Sequence, residues 1–179
     1  MTMTPLAEFH TLTDASYRIV DLHDQDYGTD EDPLPLPGYR EVVGGSLRRL
    51  YLQCVDDIVR VSVRLRLWEQ DPGPGEAEEG EAWSEGESTE LLCPSGVLLV
   101  DRWTMGPSAE WTLPVTGIFC VRVRHRGRDT ARRRIDELRE ELYETEASPR
   151  ERVTRLHTLD GTEQYLIDLW PKTSVTTKT

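Results

Sequence analysis

The sequence predicts a mainly β protein, an antiparallel β-sandwich of jelly-roll type with a helical insert near the C-terminus. Three observations predict it. Apolar and polar residues alternate in several short runs, Gly and Pro break the chain between them, and one late stretch changes to helical periodicity. A length of 179 residues suits one domain with its own core, residues 1–179.

Tyr17–Leu22 reads as the first strand, ended by the polar run His23–Asp32. Pro33, Pro35 and Pro37 then remove amide donors at alternate positions, so 33–38 is an extended edge or loop. Gly44-Gly45 reads as a turn or bulge before the next strand. Around Asp56-Asp57 a hairpin is predicted, pairing Cys54 with Val59, Leu52 with Val61 and Leu50 with Val63. On its other face Gln53 meets Arg60, Tyr51 meets Ser62 and Arg49 meets Arg64.

Composition changes abruptly after Glu69. Residues 71–90 are predicted to be an acidic mobile loop, because Pro, Gly and Glu dominate them and cannot bury a core. Trp83 stands out there, as an aromatic that either docks back onto the fold or awaits a partner. Strands follow at 91–103, around Trp111–Leu113, at 118–124 with Phe119, Val121 and Val123 inward, and at 164–170 with Tyr165, Ile167 and Leu169 inward.

The helical insert is assigned to 130–155. Asp129 is a candidate cap for a helix over Thr130–Ala147, with Ile135, Leu138, Leu142 and Tyr143 as its apolar stripe. Ser148-Pro149-Arg150-Glu151 reads as a second helix start: a Ser cap, Pro at the first helical position and Glu at the third.

Charge narrows the function classes. Residues 1–120 hold 22 acidic residues against 8 arginines, a balance of −14, while 121–179 are nearly neutral at +2. That argues against free nucleic acid, whose phosphates need clustered Lys and Arg. It favours a basic protein partner, steered by long-range attraction, or plain solubility. No apolar run approaches the roughly 20 residues of a membrane span, so no membrane association is expected and the cytoplasm is the expected location. Cys54, Cys93 and Cys120 are odd in number and never in Cys-x-x-Cys spacing, which reads as buried thiols.

The strand Gly117–His125 entering Arg126-Gly127-Arg128-Asp129, and the final Glu163-Gln164-Tyr165-Leu166-Ile167-Asp168-Leu169-Trp170-Pro171, resemble the C-terminal signature of the competence-protein-J-like β-sandwich proteins. The resemblance implies a small β-sandwich and, in the best-understood branch, an inhibitor of a partner nuclease. The helical insert departs from it, because a short connection is expected between the two motifs. No functional residue is carried over, since the matching positions read as core and strand ends.

The candidate sites are few. Asp24, Asp26, Gly28, Asp30 and Asp32 alternate as in a calcium loop, but Gly28 stands where Asp or Asn is needed and Thr29 where the turn wants Gly. His10, His23, His125 and His157 are scattered, and only His23, beside Asp21, Asp24 and Asp26, suggests a metal or acid–base role. No nucleophile elbow or phosphate-cradling loop is present, so no catalytic residue, metal or cofactor is assigned and no enzyme activity is expected. Two partner-binding surfaces remain. One is the acidic loop, with Glu76, Glu78, Glu79, Glu81, Trp83, Glu85, Glu87 and Glu90. The other is a possible anion face, with Arg49, Arg60, Arg64 and Arg66 either gathered for a ligand or neutralised by the protein's own carboxylates. The leading expectation is a non-catalytic protein that binds and inhibits a partner, and the alternative is a ligand-sensing β-sandwich module for a small anion or sugar.

Overall fold

The structure, a computed structural model, describes residues 4–27, 37–38, 41–73 and 82–172. These form ten strands and two helices. The strands are β1 (Ala7–Thr13), β2 (Ile19–Asp24), β3 (Val43–Gly45), β4 (Arg49–Gln53), β5 (Val61–Leu67), β6 (Glu87–Cys93), β7 (Val97–Asp101), β8 (Pro107–Thr112), β9 (Gly117–Arg126) and β10 (Gln164–Pro171). The helices are α1 (Arg128–Glu144) and α2 (Pro149–Leu156), followed by a 3-10 turn at His157–Leu159.

Two sheets of five strands result, ordered β1-β5-β10-β9-β6 in the first and β3-β4-β2-β7-β8 in the second. Alternation along each strand decides what is buried. Val61, Val63, Leu65 and Leu67 of β5, Phe119, Val121 and Val123 of β9, and Tyr165, Ile167 and Leu169 of β10 share one core with Val20 and Leu22 of β2, Leu50 and Leu52 of β4, and Leu98 and Val100 of β7. Each fully buried aliphatic or Phe side chain stabilises by about 1.5–3 kcal/mol relative to exposure, so this shared layer is the main force joining the sheets.

The hairpin expected around Asp56-Asp57 does not form. β4 pairs with β2 and β3 in the second sheet, whereas β5 pairs with β1 and β10 in the first. The same inward residues meet across the core instead of side by side, because the alternation of a strand names its buried face but not its neighbour. Asp56 makes the crossing: its buried Oδ1 accepts from the amides of Ile58 (2.8 Å) and Val59 (3.1 Å), and its Oδ2 accepts from Arg139 of α1 at 2.5 Å.

The wholly antiparallel expectation is also corrected, since β10 runs parallel to β5 from Gln164↔Ser62 to Leu169↔Leu67. A parallel neighbour requires a long connection, and the intervening chain supplies one. β1 lies where no strand was expected, and the first expected strand begins at Ile19 because Tyr17-Arg18 is a turn.

α1 starts at Arg128, so its cap falls two residues before the expected one at Asp129. Gly127 caps it at φ 75°, and a Cβ there would lie 2.0 Å from the carbonyl oxygen of Thr162, so only Gly fits between strand and helix. Asp129 sits in the first turn, where its charge suits the helix dipole and pairs with Arg132 at 3.3 Å. Ala131 and Ile135 pack with Val59 and Leu156 in a second, smaller core, while Tyr143, placed on the stripe by its spacing, is exposed. Ser148 caps α2 by accepting from the Glu151 amide at 3.3 Å, with Pro149 at its first position.

Candidate functional site

The outer face of the first sheet is built by alternate residues of β5, β10 and β9. Asp168 of β10 lies at its centre, fully buried, between Arg66 of β5 and Arg122 of β9 in register. Arg66 donates to both of its oxygens (2.7 and 3.1 Å), Trp68 Nε1 donates at 2.7 Å and Arg124 at 2.7 Å. Burial alone would push this carboxyl up, but the hydrogen bonds from Arg66, Trp68 and Arg124 outweigh it and hold the group below its ordinary value. Further out, Arg122 bonds Asp71 at 3.0 Å and stacks over Trp170 at 5.0 Å.

At the β9 end of this face the guanidinium of Arg126 stacks on Trp83 at 4.3 Å and bonds Gln164 at 2.9 Å. The backbone beside Trp83 is tied down as well, with the Ser84 amide donating to the His125 carbonyl at 2.8 Å. Trp83 thus docks back onto the fold. Beside it, Glu8, His10, Ser62, Arg64, Arg126 and Gln164 line an open groove of about 360 Å³. His10 Nε2 meets Ser62 Oγ at 2.8 Å, and Arg64 pairs with Glu8 at 3.3 Å.

The outer face of the second sheet gathers Asp21 and His23 of β2, Arg49 and Tyr51 of β4, and Asp101 of β7. Asp21 is fully buried. Among the described residues its ion-pair partner is Arg49, 3.3 Å away, and neither of its oxygens accepts a hydrogen bond. Burial pushes Asp21 up to about 6, with Arg49 and His23 opposing and Asp101 assisting. His23 Nδ1 donates to the carbonyl of Asp24 at 2.9 Å, so its 3.2 Å bond to Asp101 through Nε2 requires one shared proton. Among the described residues no group of three or more His, Cys, Asp or Glu is arranged to hold a metal ion. Asp24 is engaged structurally, accepting from Asp26, Ser95 and Gly96, while Gly28, Asp30 and Asp32 lie outside the described residues.

A third polar cluster joins α1 to both sheets. Arg128 donates to Glu163 at 2.6 Å, to Tyr165 Oη at 2.5 Å and to the carbonyl of Gln53, and Tyr165 Oη donates to Glu163 at 2.6 Å. The Arg-Gly-Arg-Asp and Glu-Gln-Tyr segments therefore act as a joint between sheets and helix.

The four arginines of the expected anion face do not share a face. Arg49 is on the second sheet, whereas Arg64 and Arg66 belong to β5 of the first and Arg60 directly precedes it. The lost hairpin is the reason. Arg49 faces Asp21 (3.3 Å), Arg60 faces Asp160 (2.7 Å), Arg64 faces Glu8 (3.3 Å) and Arg66 faces Asp168 (2.7 Å), so each has a carboxylate of the same chain. Of the acidic loop, Glu76, Glu78, Glu79 and Glu81 lie outside the described residues. Glu85 is exposed, Glu87 opens β6, and Glu90 of β6 pairs with Lys172 at 2.6 Å. Burial, with Glu41 nearby, pushes Glu87 upward. Asp168 and Trp68 belong to no site motif in the sequence, and their one signal there is an acid at the outward position of a strand whose neighbours carry Arg at theirs.

Two five-stranded sheets over one core, with polar networks on both outer faces, define a mainly β fold. No family model matches the chain, and no curated protein matches it. Among solved structures the fold is similar to that of ComJ from Bacillus subtilis, an inhibitor of the DNA-degrading activity of NucA, with TM-score 0.53 and 9% identity over 96% of this chain and 100% of that one. The crocagin biosynthetic gene J product is similar too, with TM-score 0.52 and 17% identity over 94% of this chain and 100% of that one. No helix among the described residues is long and apolar enough to cross a membrane.

Proposed function

We propose that this protein is a non-catalytic, cytoplasmic β-sandwich that binds and inhibits a partner protein of basic character, with the acidic segment 76–90 making first contact. The observation that carries the reading is the ComJ-like fold over nearly the whole length of both chains, since that neighbour is itself an inhibitor. The acidic excess of residues 1–120 supports a basic partner, because opposite charge accelerates encounter. The groove beside Arg64 and Arg126 gives the alternative, a small anion or sugar, some support, but the pairing of Arg49, Arg60, Arg64 and Arg66 with carboxylates leaves it second.

The test uses variants in which Glu76, Glu78, Glu79, Glu81, Glu85, Glu87 and Glu90 are all Gln. Paired pull-downs from the native host with wild-type and variant baits identify the partner, whose activity is then titrated with each. Association should slow by roughly one to three orders of magnitude at low salt, with dissociation changed far less. The difference should shrink at a Debye length of about 8 Å. Equal on-rates would reduce the acidic segment to a solubilising linker, and an undiminished partner activity would remove inhibition.

A further inference from the structure

Between β1 and β2 the connection 14–18 ends in a two-residue turn, Tyr17-Arg18, closed by reciprocal backbone bonds between Ser16 and Ile19 (3.1 and 3.0 Å). Both turn residues hold positive φ, 54° for Tyr17 and 61° for Arg18. Such turns favour Asn-Gly or Asp-Gly, and a bulky side chain in this region is strained. The surroundings over-determine the conformation. The Arg18 amide donates to Asp57 Oδ1, its carbonyl accepts from Cys54 at 2.7 Å, and Ser16 Oγ meets Thr104 Oγ1 at 2.6 Å.

The strain serves no burial. Tyr17 is 74% exposed, touching Trp103 edge-on with ring centroids 6.2 Å apart, and Met105 in the neighbouring β7–β8 turn is 59% exposed. Arg18 is exposed and makes no ion pair among the described residues, in a chain of net charge −12, whereas Arg49, Arg64 and Arg66 are each matched to a carboxylate. Tyr, Trp and Arg are the residues over-represented where binding energy concentrates, and Met adapts to irregular surfaces. Strain kept at an exposed site points to use there.

We propose that this tip, Tyr17 and Arg18 flanked by Trp103 and Met105, is the surface that enters the partner protein. It fits a cleft with apolar walls for the phenol ring and thioether and a carboxylate for the Arg18 guanidinium. The inference rests on the protein-binding reading and adds where the contact is made and what the cleft must contain. The acidic segment attracts the partner's basic surroundings, and the tip provides the short-range fit. A nucleic acid would meet the same aromatics, but the net charge repels its phosphates.

Two experiments test it. Replacing Tyr17→Asn together with Arg18→Gly puts the favoured residues in the turn, and should raise the melting temperature by roughly 2–6 °C. A lower melting temperature would make the Tyr17 contact structural and overturn the proposal. In the second, a photo-crosslinking amino acid replaces Met105, or in a control Tyr143, a residue of α1 that is 76% exposed. An adduct at 105 only is expected, and the protein in it is purified and titrated. Tyr17→Ala and Arg18→Glu should each weaken its binding at least thirtyfold, and Tyr143→Ala less than threefold. An adduct at 143 alone, a homodimer at 105 or unchanged affinities would overturn the tip while leaving protein binding standing. Adducts at neither position would overturn both.

Discussion

Asp168 on the first sheet and Asp21 on the second are both wholly buried carboxylates on outward strand positions, and both lie beside arginine. Yet one is held below its ordinary value and the other is pushed up to about 6. The difference is hydrogen bonding. Asp168 accepts from Arg66, Trp68 and Arg124, whereas Asp21 has, among the described residues, the 3.3 Å approach of Arg49 and no hydrogen bond. Burial costs the two acids alike; donors decide which remains ionised. The first sheet therefore favours the ionised form of its acid, and the second favours the protonated form to higher pH than an ordinary carboxylate.

The largest way to break the contrast is Asp168→Ala, which leaves Arg66 and Arg124 facing each other over a vacated site. It should cost about 3–5 kcal/mol, read as a lower urea midpoint with unchanged slope. A loss under 1 kcal/mol would mean the network is dispensable. Next comes Asp21→Asn. The folded value of Asp21 is raised, so its contribution is fully present below the unfolded value of 3.8 and is lost as pH rises towards 6. The wild type should then lose about 3 kcal/mol across that window from this group, and the Asn variant should lack the slope. Identical pH profiles would show that Asp21 titrates like an ordinary carboxylate.

Trp68→Phe sharpens the comparison, because it removes one donor from Asp168 and moves it towards the condition of Asp21. About 1–2 kcal/mol should be lost, and acid unfolding should begin at higher pH, since stability from a depressed carboxyl is lost as pH falls through its folded value. The smallest effect belongs to Arg64→Gln, whose pair with Glu8 is solvent-exposed and should change stability by less than about 0.5 kcal/mol in thermal melts.

The two sheets also divide what is legible in sequence from what is not. Period-two alternation locates β9 and β10 with their inward residues and β7 within the strand run 91–103, and the Ser148-Pro149 pair locates α2. Alternation does not say which strand lies beside which. That is why Leu50–Gln53 and Val61–Leu67, apolar on matching positions, look like a hairpin when they are opposite layers of one core. β1 alternates between exposed and half-buried residues along most of its length, so its signal is weak. The buried acids are hidden for a related reason: an outward position reads as solvated, and only the Trp and Arg side chains reaching over from neighbouring strands exclude water. The acidic segment is visible in composition alone, whereas the Tyr17-Arg18 tip is not, because nothing in those residue types announces a positive φ.

The parallel seating of β10 between β5 and β9 bears on how the chain is made. β1 and β5 can pair early in synthesis, and β6 and β9 can pair later, but these two pairs are joined within their sheet only through β10. Until residues 164–171 have left the ribosome, β5 and β9 lack the strand that lies between them in the folded sheet. Completion of this sheet therefore waits on translation of β10.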